Sequence, residues 1–188
     1  MRKPASFLFL LLVALACGGT GYGAENKEAA GLAAKLAGGE TAERSDAENK
    51  LRALGAAAIP ALRAAQPPND EDLARVRNVL ANIVLETVKV DPGDAALAHE
   101  IAREEGKAER YANAARLYHS AQKLFEKLKD DAGNRKDRVK ERQYKEKQQV
   151  CERMKDKADR KLKGAAHGGL NLGLVRIGGE HDVNDNWE

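Results

Sequence analysis

Four histidines, two cysteines and many carboxylates are the groups in this chain that could do chemistry. His99, His119, His167 and His181 fall at no metal-ligand spacing: there is no HExxH, no histidine pair at i,i+4 and no cysteine pair. His181-Asp182 with Asp185 comes nearest to a cation-binding group, but it lacks a full set of ligands and reads as a solvated acidic stretch. Phosphate loops need glycines at a strand-to-helix turn, and the clusters at 18–23 and 164–179 lie in a tether and a tail instead. A nucleophilic Cys151 would need a base and a positioned site, and its neighbours supply neither. Asp and Glu are so frequent that no pair stands out as a catalytic acid and base. No cofactor, metal or catalytic residue is expected, so the chain reads as a non-enzyme.

Two groups remain that could bind rather than react. The first is Cys17. Arg2 and Lys3 precede the apolar run 7–16, FLFLLLVALA, which is too short to span a bilayer and has the dimensions of a secretory signal. Ala14-Leu15-Ala16 fits cleavage after Ala16, and a cut after Ala24 also fits. Val13-Ala14-Leu15-Ala16-Cys17 resembles a bacterial lipobox, with Ala14 where leucine is usual, and glycines follow as in a tether. The resemblance implies lipidation of Cys17; the other reading discards the cysteine with the signal. Either way Cys151 is then alone, so helix packing rather than disulfides must stabilise the fold.

The second group is basic. The net charge is only +3, yet residues 135–163 hold thirteen Lys and Arg against six Asp and Glu. Lys145, Lys147, Arg153 and Lys155 are the candidate contacts for an anionic partner, either a polymer or lipid head groups. A solvated face laced with i,i+4 pairs such as Glu141–Lys145 is the plainer reading. Nucleic acid is not expected, because the segment offers only Tyr144 for stacking.

The elements that must position these groups are helical. Charged residues make up 32% of the chain and aromatics 4%, a composition of long helices and helical repeats. Leu51 and Leu54, with Ala47, share one helix face; Gly55 ends that run, and Ala58, Ile59, Leu62 and Ala65 begin another. Pro60 suits the first turn of the second helix. The stretch L-x-A-L-G-x-x-A-I-P-A-L resembles the helix-turn-helix core of a HEAT repeat, which implies stacked antiparallel helices and protein binding. Before it, Leu32 and Leu36 mark a leading helix ended by Gly38-Gly39, and Ser45 with Glu48 has the spacing of a capping box.

After Pro67-Pro68, Asn69 or Asp70 caps a helix whose inward stripe is Leu73, Val76, Leu80, Ile83, Val84 and Thr87. Asp91-Pro92-Gly93-Asp94 turns the chain into a helix carrying Leu97 and Ile101 inward. Residues 107–129 follow, with Tyr111, Ala114, Ala115, Tyr118, Ala121, Phe125 and Leu128 on one face. In the basic helix, Val150, Cys151, Met154, Ala158 and Leu162 form a narrow stripe suited to pack on Tyr118 and Phe125. Alternating Leu170, Leu172 and Leu174 suit a strand that has nothing to pair with, so the tail is expected to be irregular.

The expected architecture is all-α. It comprises a signal at 1–24, a tether and leading helix at 25–40, HEAT-like repeats at 41–105, a helical hairpin at 106–163 with a basic second helix, and a Gly-rich tail at 164–188. The expected function is an exported, non-enzymatic module binding an unidentified protein at the cell envelope, attached to membrane only through Cys17. The alternative is an envelope structural protein whose basic helix holds anionic polymer or lipid head groups.

Overall fold

The computed structural model describes residues 22–168, with side chains from 27 to 165. Residues 1–21 of the expected signal, with Cys17, and the tail from 169 onward lie outside the described residues, and residues 22–24 are the first of a helix. The fold is all-α: seven helices and one 3-10 turn, with no strand among the described residues. α1 (Tyr22–Gly38) packs chiefly on α2 (Thr41–Leu54); the 3-10 turn Gly55–Ala58 leads into α3 (Ile59–Ala64), and α4 (Asp70–Thr87) closes this group. α5 (Pro92–Lys107), α6 (Tyr111–Asn134) and α7 (Arg138–Gly168) form a second group, each packed on the next.

The helix ends follow local chemistry. Asn69 accepts the Asp72 N–H at 2.9 Å and so caps α4, while Asp91 accepts the Gly93 N–H at 2.7 Å at the start of α5. Gly55 closes α2 with φ +56°, and a Cβ there would meet the Thr87 methyl at 3.3 Å. The positive φ therefore favours glycine, and a side chain would also crowd Thr87. The capping pair at α2 is not Ser45 and Glu48: the helix starts earlier, where the Glu40 N–H donates to the Glu43 carboxylate at 3.3 Å, and Ser45 sits one turn inside.

The core runs through all seven helices. Leu36, Leu51, Leu62, Val76, Leu80 and Ile83 fill the first group, and Ile101, Leu117, Tyr118 and Phe125 the second. Leu54 is only half-buried, because Ala47 and Leu51, four apart, define the inward line of α2. α3 is a helix of six residues that packs on α1 and α4 rather than forming a long hairpin with α2. Leu97 is likewise half-buried, and the inward face of α5 is made of Ala95, Ala98, Ile101 and Ala102.

α6 begins at Tyr111, four residues beyond the expected start. Glu109 takes φ +59°, and the Arg110 N–H returns to the Glu105 carbonyl at 2.9 Å, which ends α5 and resets the chain. α7 continues to Gly168, five residues into the expected tail, so Gly164 is helical. Cys151, Met154 and Ala158 are buried against α6 as expected, whereas Val139 and Leu162 are exposed.

Candidate functional site

Three places bring polar or apolar groups together at the surface, and one does so in the interior. The interior place is the junction between the two groups of helices. Glu105, at the end of α5, is fully buried, and Arg110 donates to both of its oxygens at 2.7 and 3.0 Å. Asn113 adds a bond at 3.3 Å, and the same amide reaches Asn78 on α4 at 2.8 Å. Arg77 lies 3.8 Å from Glu105 and donates to Glu104 at 3.2 Å; Arg63 of α3 donates to Glu104 and to Glu100, the latter at 2.8 Å. The Glu105 carboxylate is occupied by its partners, which suits it to hold helices together rather than to move protons.

The first surface place is a groove of about 800 Å³ between α1 and α3. Ala30, Ala33, Ala34 and Ala37 recur at helical spacing along α1, facing Pro60, Ala61 and Ala64 of α3, with Pro67 and Pro68 at one end. Ala33, Ala37 and Ala61 are buried, while Ala30, Ala34, Pro60 and Ala64 are exposed. Small side chains on both walls leave room that larger ones would fill.

The second is a cleft of about 580 Å³ walled by Ala96 and His99 of α5, Phe125 of α6, and Gln143, Glu146, Lys147 and Val150 of α7. His99 packs edge-on against Tyr118, with ring centres 5.6 Å apart, and Phe125 stacks on Tyr144 at 6.4 Å. Burial first, then the nearby Arg103 and Lys147, hold the His99 imidazole below its ordinary pKa. Burial likewise pushes the Tyr118 phenol up, and that hydroxyl has no hydrogen-bond partner among the described residues. The buried Cys151 thiol is pushed up to about 12, again by burial, which leaves it protonated and unreactive at neutral pH.

The third is the outer side of α7, where the structure separates the four expected contacts. Lys145 and Arg153 are exposed and make no ion pair among the described residues. Lys147 lies over the Phe125 ring, its Nζ 5.4 Å from the centre. Lys155 pairs with Asp159 at 3.1 Å and Asp156 at 3.6 Å. The four thus do not form one surface. Arg138, Arg142 and Arg160, absent from the expected set, instead share the exposed face of Lys145 and Arg153, at intervals of three, four, seven and eight residues. Arg142 pairs with Glu146 at 3.2 Å.

The alanine stripe of α1 was missed, since only Leu32 and Leu36 marked that helix, although the spacing of Ala30, Ala33, Ala34 and Ala37 was a signal for it. The His99 cleft had no such signal, because His99 and Lys147 meet only through the fold of α5 onto α6 and α7. No helix among the described residues is long and apolar enough to cross a membrane. No known family model matches the chain, and no curated protein or solved structure is similar to it.

Proposed function

We propose that the protein is an exported, non-enzymatic helical-repeat module that binds another protein at the bacterial cell envelope, with the α1–α3 groove as the seat for its partner. The groove carries this reading. It is long, walled by methyl groups and proline rings, and bordered by Lys27 and Gln66, so an apolar segment of a partner gains burial on both sides. The helical array, compatible with a repeat, supplies the rigid backing that such a face needs. Export rests on the N-terminal pattern, and attachment rests on Cys17. Replacing Cys17 with Ala should move mature protein from the membrane fraction to the soluble one.

The test of the module is capture from bacterial envelope extract by the wild-type chain and by the variant Ala34→Trp/Ala64→Trp. Both positions are exposed, so the two rings fill the groove without entering the core. One protein retained in stoichiometric amount by the wild type and lost from the variant supports the reading. Equal retention by both, or no retained protein, overturns it.

A second reading is favoured by one observation: Arg138, Lys145, Arg153 and Arg160 stand exposed along α7 with no ion pair among the described residues. In this reading the protein is structural, and α7 holds an anionic polymer or lipid head groups of the envelope.

A further inference from the structure

The cleft between α5, α6 and α7 has a charge arrangement that the folding of these helices does not need. Lys147 and Arg103 both act on His99, yet neither makes an ion pair among the described residues. Lys147 has the face of Phe125 in place of a carboxylate, and a cation over a ring is a weak substitute for a counterion. The acid in the cleft lining, Glu146, pairs with Arg142 along α7 at 3.2 Å. The rest of the lining includes the apolar Ala96, Val150 and Phe125. We propose that this cleft binds a small amphiphilic carboxylate, its head on Lys147 and His99 and its hydrocarbon body along Phe125, Val150 and Ala96.

Size and charge narrow the ligand class. A cleft of about 580 Å³ falls in the range of small-molecule sites and fits a body of roughly six to ten carbons. The wall carries two full charges, Lys147 and Glu146; Glu146 pairs with Arg142, which leaves Lys147 as the cation without a carboxylate partner, beside the neutral imidazole of His99. One cation with a neutral hydrogen-bonding neighbour suits a carboxylate monoanion better than a phosphate dianion. The groups facing His99 are Arg103 on its own helix, Tyr118 on α6 and Lys147 on α7. None of them is an acid; the carboxylate of the cleft wall is Glu146, which pairs with Arg142 at 3.2 Å.

This site is independent of the α1–α3 groove, and its test uses the full chain with octanoate, octanol, acetate and inorganic phosphate. Binding is read by calorimetry and by the imidazole NMR signal of His99, assigned with His99→Gln. Octanoate should bind saturably and shift that signal, octanol at least about tenfold more weakly, and acetate and phosphate without saturation. Lys147→Gln should weaken octanoate about tenfold with an unchanged melting temperature. Ala96→Trp, at an exposed position of the wall, should abolish binding. Equal affinity for octanoate and octanol, saturable phosphate binding, or unchanged octanoate affinity in either variant overturns the proposal.

Discussion

Arg110 grips both oxygens of the fully buried Glu105, at 2.7 and 3.0 Å, across the bend where α5 gives way to α6. Five residues separate the two, a spacing that neither helix alone would bring together. The left-handed Glu109 makes it possible by turning the chain back on itself. With Arg77 of α4 approaching from the other side, the pair ties the second helical group to the first.

Breaking this pair should cost far more than breaking a surface bridge. Arg110→Ala leaves a buried carboxylate short of its main partner, a change that typically costs about 3–5 kcal/mol. Glu105→Gln in the same chain should recover part of the loss, since an amide tolerates burial better than an unpaired charge. By contrast, Asp46→Ala, which removes the exposed i,i+4 partner of Lys50, should leave the unfolding midpoint unchanged within error. Urea unfolding of the four proteins checks this. If Arg110→Ala and Asp46→Ala unfold at the same midpoint, the junction does not hold the fold.

The two leucines of α2 should differ. Leu51 is fully buried, so Leu51→Ala should cost about 2–5 kcal/mol through lost transfer energy and a residual cavity. Leu54, half-buried at the end of the same helix, should cost about 1 kcal/mol. Thermal melts of the two single variants decide it, and equal losses would mean that α2 is rotated from its described position.

Periodicity made most of the helices legible. Asn69, Asp91 and Gly55 carry their own end signals, and α4 and α6 carry stripes strong enough to place their inward faces from spacing alone. The misplacements arose where the deciding contact was tertiary. Leu54 looked as inward as Leu51 because a three-residue step satisfies a helix face, and only the packing of α1 and α4 selects the line through Ala47. The pairing of α2 with α1 rather than α3 was hidden because α3 is cut short by the Gln66-Pro67-Pro68 break. Among the basic residues, Lys147 and Lys155 could not be told from Lys145 and Arg153 by composition. Which face of α7 turns to Phe125, and which lysine finds Asp159, depends on how the hairpin closes.

Stability should fall on both sides of neutrality, with a named group on each limb. His99 is held below its ordinary 6.5 by burial first and by Arg103 and Lys147, so the folded chain binds fewer protons there than the unfolded one. Its contribution is intact above pH 6.5 and is lost as pH falls below that value. Cys151 is raised from 9.0 to about 12, so its contribution is intact below pH 9.0 and is lost as pH climbs toward 12. Unfolding free energy measured from about pH 5 to 10 should therefore be flattened on the acid side by His99→Gln and on the alkaline side by Cys151→Ala. A wild-type profile that neither substitution alters would rule out these two groups as the cause.

The basic helix offers the sharpest test of the second functional reading, because the structure separates cations that face outward from cations already engaged. α7 spans 31 residues and carries eleven Lys and Arg against five Asp and Glu. If it holds an anionic polymer, the work falls to Arg138, Lys145, Arg153 and Arg160, which stand on one exposed face without ion pairs among the described residues. Lys147, over Phe125, and Lys155, paired with Asp159, should contribute little. Binding through counterion release should weaken steeply between about 50 and 200 mM salt. Replacing the four outward residues with Gln should abolish retention on anionic cell-wall polymer at low salt and remove the salt slope, while Lys147→Gln/Lys155→Gln should leave both nearly as in the wild type. Retention of all three proteins at every salt concentration, or of none, would leave α7 as a solvated helix whose charges serve solubility alone.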